Sequence, residues 1–145
     1  MSRQVGYSCV GLVSPKFPVN VASVLRACHC YNAAALIVQG RRYQRHGADT
    51  PKQWKHMPLF HTDDIHTMVP FACVPVGVDL VDDAEPLPEF VHPERALYIF
   101  GPEDGTLGQK VLSWCKHKVY VPTTHCMNLA ATVNVVLYDR KAKVS

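Results

Sequence analysis

The sequence lacks several features that would assign it at once to a well-marked class of proteins. Its apolar runs are short: the run 33–38 is far below the roughly 20 residues that a membrane-spanning helix needs. The amino terminus has no long apolar stretch of the secretory type, so we expect a soluble, cytoplasmic protein without a membrane partner. There is no internal repeat or low-complexity tract, and the length of 145 residues predicts a single domain over 1–145.

Metal-binding patterns are also missing. Six cysteines and eight histidines are present, yet no Cys-x-x-Cys pair occurs. The Cys-His-Cys run at 28–30 spreads its side chains over diverging faces of a helix, and His56, His61 and His66 recur every five residues. Neither spacing is typical of a zinc site. We therefore expect no metal, and we expect reduced thiols of which several are buried.

Three familiar catalytic signatures are absent as well. Gly101, Gly105 and Gly108 are not spaced as G-x-G-x-x-G and do not follow the first strand, which argues against a dinucleotide site. The sequence has neither the G-x4-G-K-[ST] loop of nucleotide-triphosphate sites nor the G-x-S-x-G turn of hydrolases. Cys126 follows His125, but adjacency in sequence does not make a nucleophile and base.

What the sequence does contain is an alternation of short apolar strands and helices. Hydrophobic residues make up 48% of the chain, enough for a substantial core. The pattern predicts strands over 4–13, 35–38, 59–60, 71–78, 96–100 and 119–121, and helices over 20–31, 51–55, 62–68, 106–115 and from 128 onward. This alternation is typical of an α/β domain with a mostly parallel sheet flanked by helices.

Individual residues refine this prediction. Asn20 and Asn128 are predicted to cap the helices that follow them. Pro75 interrupts its strand, which should end at a sheet edge or bend there. The strand 96–100 is unbroken and apolar, as expected when both faces are covered. The charged residues 139–141 are expected on the outer face of the last helix, and 79–93 is expected to be a loop.

Polar side chains collect at the junctions between these elements. The loops 100–105 and 121–128 each follow an apolar strand and lead into a helix, while 20–26 opens another helix. In parallel sheets, ligands bind beyond the carboxyl ends of the strands, where both loops should lie. Backbone groups of these loops, with Val121, Met127 and Leu129 as apolar walls, are suited to hold a flat ligand.

The charge distribution favours a nucleic-acid partner without requiring one. The net charge is +3. One loop-rich stretch, 41–55, interleaves cations with aromatic rings: it contains Arg41, Arg42, Tyr43, Arg45, His46, Lys52, Trp54 and Lys55. Such a composition suits phosphate contacts together with base stacking on RNA, and an ordinary solvated loop is the alternative interpretation.

Three segments resemble the signature motifs of a known family. They are 20–26, the I-F-G-P-E-D-G-T-L segment at 99–107, and 121–129, whose sequence is V-P-T-T-H-C-M-N-L. In order and spacing they are similar to the motifs of the SpoU (TrmH-type) RNA 2′-O-methyltransferases of the SPOUT superfamily. The likeness covers nearly the whole chain. In its short length the chain resembles the minimal members of the family, the tRNA (cytidine/uridine-2′-O)-methyltransferases.

The resemblance implies a fold, an oligomeric state, a cofactor and a reaction. It implies an α/β domain with a carboxyl-terminal deep trefoil knot, a homodimer, S-adenosylmethionine bound in the knot, and methyl transfer to a ribose 2′-hydroxyl of tRNA or rRNA. It assigns catalytic positions to Arg26, Glu103 and Asn128. It assigns cofactor-contacting positions to Cys73, Gly101, Val121, Cys126 and Leu129.

Two positions depart from the family pattern. The family often has Gly where this sequence has Ala22, and Ser where it has Cys126, whose thiol is the weaker hydrogen-bond partner. The family proposal makes Arg26 help deprotonate the hydroxyl, but binding the adjacent phosphate and stabilising alkoxide charge suit a guanidinium better. Glu103 would orient Arg26 or the cofactor loop, and Asn128 the loop or the ribose. The alternative is a noncatalytic RNA-binding protein of the same fold.

Overall fold

The structure is a computed structural model that describes residues 6–46 and 57–144. Within these ranges the strands are β1 (Tyr7–Val13), β2 (Leu36–Gln39), β3 (Leu59–Thr62), β4 (Val74–Val78), β5 (Glu85–Pro86), β6 (Arg95–Phe100) and β7 (His117–Tyr120). The α-helices are α1 (Pro18–Cys30), α2 (Gln109–Leu112) and α3 (Leu129–Val144). Short 3-10 helices cover Arg42–His46, Ile65–Met68 and Leu87–Glu89.

The strands form one parallel sheet in the order β3-β2-β1-β6-β4-β7-β5. β6 lies at its centre, where Tyr98 is in register with Val10 of β1 and Val76 of β4. The predicted α/β architecture with a mostly parallel sheet is confirmed. Because all pairs are parallel, the carboxyl ends of the strands meet at one edge, and the loops that follow β4, β6 and β7 lie side by side there.

Helices and loops cover both faces of the central strand. Tyr98 and Phe100 point into a core layer shared with α1 and α3. Leu97 and Ile99 point into a second layer, shared with α2 and with Ile65. This alternation confirms the prediction that β6 is buried on both faces.

Asn128 begins α3 as predicted. Its Oδ1 accepts the backbone N–H of Ala130 at 2.9 Å and that of Ala131 at 3.2 Å, which satisfies two of the free donors at the helix start. The predicted inner face of the helix is also confirmed, since the residues at 129, 133, 136 and 137 are buried.

The expectation that Arg140 lies outside was wrong. Its side chain is buried, with Nη1 donating to the carbonyl of Pro93 at 2.7 Å and to the Tyr98 hydroxyl at 3.0 Å. Nη2 donates to the carbonyl of Glu94 at 2.8 Å. Arg140 stands four residues after Val136 and so continues the buried stripe, where it satisfies carbonyls just before β6.

Pro75 lies in an interior strand, so the expectation of a sheet edge was wrong. β4 pairs with β6 on one side and with β7 on the other, but its pairing with β7 begins only at Val76. The Pro75 carbonyl accepts the N–H of Lys116, one residue before β7 starts. The donor that proline lacks would point toward this same unpaired end, and its absence therefore removes no ladder hydrogen bond.

Several predicted elements are shorter than expected. The helix predicted over 106–115 is reduced to α2, because the preceding Gly108 has φ of 84° and the residues before it form a loop. Of 62–68, only Ile65–Met68 is helical, as a 3-10 turn whose start is capped by Asp64. The segment 79–93 is largely a loop but contains β5. The helix predicted over 51–55 lies outside the described residues.

The thiol prediction is confirmed. All six cysteines are free, and those at 9, 28, 73 and 115 are buried. Burial raises the pKa of Cys9 to about 11 and that of Cys28 to about 12. Among the described residues no group of three or more His, Cys, Asp or Glu side chains is arranged to hold a metal ion. No helix in the described ranges is long and apolar enough to cross a membrane.

Candidate active site

A cavity of about 410 Å³ lies at the carboxyl edge of the sheet. Its walls come from the ends of β4, β6 and β7 and from the loops that follow them, including both loops singled out in the sequence. Gly101, Val121, Cys126 and Leu129 line it, as does Asp79 after β4. Mixed backbone and apolar walls at this edge are typical of ligand sites in parallel α/β sheets.

The loop after β6 folds back on itself at Gly101. A Cβ atom at this position would lie 2.8 Å from the backbone nitrogen of Leu107, too close for any side chain. At Gly105, in contrast, a Cβ would meet its nearest neighbour, Cγ of Pro102, at an ordinary 3.5 Å. The first glycine is therefore required by the close approach that shapes one wall of the cavity.

Asp79 is a cavity residue that the sequence reasoning missed. Its Oδ1 accepts the N–H of Leu80 at 2.9 Å, and its Oδ2 accepts the N–H of Leu107 at 3.2 Å. The side chain thus joins the end of β4 to the loop after β6. An acidic residue directly after a buried strand was the available signal, and the proline-bearing acidic segment around it concealed that signal.

Beside the cavity, one side chain from each of three distant segments forms a chain of hydrogen bonds. The Nδ2 group of Asn20 donates to Oε2 of Glu103 at 2.8 Å, and Nδ2 of Asn128 donates to Oδ1 of Asn20 at 3.3 Å. We call these three residues the junction cluster. The cluster brings together residues 83 and 108 positions apart in the chain.

Glu103 serves as an acceptor on both of its oxygens. Oε1 accepts the backbone N–H of Lys16 at 2.8 Å, and Oε2 accepts that of Phe17 at 3.1 Å besides the Asn20 amide. Burial alone would raise the pKa of this carboxyl, but the hydrogen bonds outweigh it and hold the pKa below its ordinary value. Glu103 therefore stays ionised and ties its loop to the start of α1.

Asn20 does not cap α1, contrary to the prediction. The helix begins at Pro18, and Phe17 occupies the capping position without a side-chain hydrogen bond. Glu103 accepts the N–H groups of the two residues just before the helix. Because Asn20 is spared that role, its amide is free to bridge the carboxylate and Asn128.

A family comparison decides the relationship of this chain to known proteins. The model of the SpoU rRNA Methylase family matches residues 8–138. The chain belongs to the SpoU rRNA methylase family. All three segments of the junction cluster fall within the matched range. No curated protein matches the sequence significantly.

Solved structures share the SpoU fold with this chain. The SpoU methyltransferase AviRb of Streptomyces viridochromogenes, in complex with the cofactor AdoMet, is 21% identical with a TM-score of 0.75 over 96% of this chain and 58% of that one. An rRNA methyltransferase of Sinorhizobium meliloti is 17% identical, with a TM-score of 0.81 over 100% of this chain and 60% of that one. This chain thus spans about 60% of the length of these two proteins.

A third structure is more nearly equal in length. Its subject is the 2-OH methylation of C/U34 on tRNA, and it is 22% identical with a TM-score of 0.74 over 97% of this chain and 92% of that one. At such identities these likenesses establish the fold.

Of the eight site residues expected from the SpoU resemblance, two lie outside the cavity and the junction cluster. Arg26 is exposed on α1, six residues or roughly 9 Å beyond Asn20 along the helix. Cys73 precedes β4, at the opposite end of that strand from the cavity, and is buried in the second core layer. Burial raises the pKa of its thiol.

The basic stretch contributes differently from what its composition suggested. Arg42 is paired with Asp104, its two terminal nitrogens each 2.9 Å from a carboxylate oxygen, and this hydrogen-bonded pair lowers the pKa of the aspartate. Tyr43 is 1% exposed and its hydroxyl lies 2.6 Å from Nε2 of His61, so it is not available for base stacking. Arg41 is exposed. Lys52, Trp54 and Lys55 lie outside the described residues, as do the side chains of Arg45 and His46.

Proposed function

We propose that this protein is an S-adenosylmethionine-dependent RNA methyltransferase that acts on a ribose 2′-hydroxyl of tRNA or rRNA. The observation that carries the proposal is the junction cluster: three polar side chains, one from each motif segment, meet beside a cavity at the carboxyl edge of the sheet. Such convergence of three motif segments is expected of a shared site.

The cavity suits an adenosyl ligand. Gly101 lines the cavity and carries no side chain, so its main-chain N–H and C=O groups can approach a bound ring. Val121 and Leu129 supply apolar walls, and Cys126 lies at the exposed side. When bound, S-adenosylmethionine supplies a methyl group already activated by its sulfonium. The protein then has to position the acceptor hydroxyl and take up its proton. Cys73 is not included in this proposed site.

The junction cluster has a positioning role in this proposal. Both Glu103 oxygens are occupied by donors, so the carboxylate fixes the loop that forms a cavity wall. Asn128 holds the start of α3 through its Oδ1 and the cluster through its Nδ2. Arg26 would bind the phosphate next to the target ribose and stabilise negative charge on the 2′-oxygen.

A homodimer would reconcile the exposed Arg26 with this role. Val19, Ser23 and Arg26 are spaced i, i+4, i+7 on the outer side of α1, and the neighbouring α3 exposes Val135 and Tyr138. We infer that this outer surface pairs with a second copy, which brings the partner's Arg26 to the mouth of the cavity. Sedimentation velocity should give a dimer at micromolar concentration, and a monomer would contradict the inference.

Three further expectations belong to the same proposal. One is the trefoil knot, made by the segment after β7; another is that 1–145 forms a single SPOUT methyltransferase domain in the cytoplasm. The third is that the cations of the 41–55 stretch other than Arg42 contact the RNA backbone. Arg41, which is exposed, is the described candidate.

Methyl transfer tests the function directly. The protein is incubated with S-adenosylmethionine labelled in the methyl group and with total tRNA or rRNA from cells that lack it. We expect label in RNA, none in a DNA oligonucleotide, which has no 2′-hydroxyl, and strongly reduced transfer by Arg26→Ala. Equal labelling of DNA would contradict the 2′-hydroxyl assignment. Transfer that survives Arg26→Ala would remove that residue from the mechanism.

One observation favours a second candidate, a noncatalytic RNA-binding protein of this fold. The cavity presents the thiol of Cys126 where the family often has a serine hydroxyl, which is the stronger hydrogen-bond partner. Calorimetry with S-adenosylmethionine separates the two candidates. Heat of binding with a stoichiometry of one per chain supports the enzyme, and its absence together with retained RNA binding supports the noncatalytic protein.

A further inference from the structure

The proposed reaction leaves one chemical role unfilled among the residues already discussed. A ribose 2′-hydroxyl must lose its proton as its oxygen attacks the methyl group. Glu103 holds three donors on its two oxygens, which leaves it poorly placed to accept another proton. Arg26 does not line the cavity of its own chain, and a guanidinium does not act as a base near neutral pH.

His125 is placed to fill this role. It lies in the loop between β7 and α3 and is exposed to solvent, yet it lines the cavity. Its backbone is held, because the hydroxyl of Thr123 donates to the His125 carbonyl at 2.8 Å. Asn128 anchors the far end of the same loop to α3. The imidazole is therefore carried by a braced loop rather than by a free segment.

The other titratable groups around the cavity are less suited to take a proton. They are Asp79 from the end of β4, Glu103 from the loop after β6, Tyr120 from β7 and Cys126 from the loop of His125 itself. Both oxygens of Asp79 already accept backbone N–H groups. Histidine is the side chain whose ordinary chemistry exchanges a proton near neutral pH, and His125 is the single histidine that lines this cavity among the described residues.

We propose that His125 is the general base that accepts the proton of the ribose 2′-hydroxyl. The inference rests on the proposed function and deepens it. In the step, a nitrogen of the neutral imidazole takes the hydroxyl proton while the 2′-oxygen forms a bond to the methyl carbon and the sulfur–methyl bond breaks. The products are the 2′-O-methyl ribose, S-adenosylhomocysteine and an imidazolium, which returns its proton to water.

The test compares His125→Gln and His125→Ala with the native protein over a range of pH. The substrates are methyl-labelled S-adenosylmethionine and total tRNA from cells that lack the protein. The native rate should rise with pH and level off once the base is neutral. In both variants kcat should fall by about 10²–10⁴-fold, and the pH–rate profile should lack that plateau. Added imidazole should restore part of the rate to His125→Ala, and calorimetric binding of S-adenosylmethionine should be unchanged.

His66→Gln is the matched control, because this exposed histidine stacks on Trp114, with ring centroids 4.3 Å apart, and does not line the cavity. It should keep the native rate and pH profile. A His125→Gln enzyme with native kcat and plateau would overturn the inference while leaving the proposed function standing. Lost cofactor binding in that variant would also overturn it, by making His125 a binding residue. No methyl transfer by the native protein would overturn the proposed function and this inference together.

Discussion

Two polar networks tie distant parts of this chain together, one at each end of the sheet. The junction cluster lies beside the cavity at the carboxyl edge and is partly open to solvent. The second network, which we call the amino-end network, links His92, Tyr98, Asp139 and Arg140 below the amino end of β6. His92 Nδ1 lies 2.7 Å from the Tyr98 hydroxyl, and Nε2 lies 2.7 Å from an Asp139 oxygen.

In the amino-end network an aspartate is hydrogen-bonded to a histidine, which is hydrogen-bonded to a hydroxyl. This order resembles that of a catalytic relay. Tyr98 is fully buried, however, so a substrate cannot reach its hydroxyl. Burial is also the main reason that the pKa of His92 is lowered. The comparison teaches that a polar network holds distant segments together at each end of the sheet, and that the one at the carboxyl edge does so beside a cavity.

The largest effect should come from Arg140. Replacing it with leucine leaves the backbone carbonyls of Pro93 and Glu94 without this donor, whereas the Tyr98 hydroxyl keeps His92 as a partner. Since each buried polar group left unpaired costs about 1–3 kcal/mol, we expect the free energy of unfolding to fall by about 3 kcal/mol. Urea denaturation measures it.

The matched variant is Arg26→Leu, which replaces an exposed arginine. It should change stability by less than about 0.5 kcal/mol and should reduce methyl transfer instead. If Arg140→Leu were as stable as the native protein, or if Arg26→Leu lost as much stability as is expected of Arg140→Leu, the division between a structural and a functional end of the sheet would fail.

A second test compares two glycines of one loop. Gly101→Ala forces a Cβ against the Leu107 backbone and should lower stability by about 1–3 kcal/mol as well as weaken S-adenosylmethionine binding. In Gly105→Ala the added Cβ makes only ordinary contacts. This variant should change the stability and the free energy of S-adenosylmethionine binding by no more than about 0.5 kcal/mol, as surface substitutions usually do. Thermal unfolding and calorimetry check both variants, and identical behaviour would remove the close approach at Gly101 from the account.

Asn128 allows the helix cap to be separated from the junction cluster. Asn128→Ala should lose about 1 kcal/mol of stability, whereas Asn128→Ser keeps a capping oxygen and should lose only a few tenths. Both variants lack the amide that donates to Asn20. We expect methyl transfer to fall in both; full activity in Asn128→Ser would reduce this residue to a cap.

The smallest effect concerns pH. Because the folded-state pKa of Glu103 is lowered, its contribution to stability is fully present above the ordinary carboxyl range, about 4.3, and disappears as the pH falls through the folded value. Glu103→Gln should therefore be less stable than the native protein by about 1 kcal/mol at pH 7, with the difference closing as the pH falls through the folded-state pKa. A difference that stayed constant with pH would argue against an ionised Glu103.

The elements that sequence predicted well are those set by local patterns. The apolar run of β6 and the cap and stripe of α3 depend on neighbouring residues, and the structure confirms both. The apolar stripe of α3 also indicated that Arg140 is buried, because its position continues the stripe. Its charge concealed that signal, because the carbonyls it satisfies precede β6 and become neighbours only after folding.

The place of the cavity was predicted in part. The sequence indicated which loops form it, and Gly101, Val121, Cys126 and Leu129 line it, while their contact with a cofactor stays a prediction. The link from Glu103 to the two residues before α1 could not be predicted, because these partners are 86 to 87 residues away and a local rule favoured Asn20 as the cap. Asp79 was missed because it stands in an acidic, proline-bearing segment and its partner Leu107 belongs to another loop.

A crystal structure of the protein grown with S-adenosylmethionine tests the central claim most directly. We predict one molecule per chain in the cavity beside the junction cluster, with its adenosyl group against the backbone at Gly101 and the walls formed by Val121 and Leu129. A ligand bound elsewhere on the chain, with this cavity unfilled, would contradict the account.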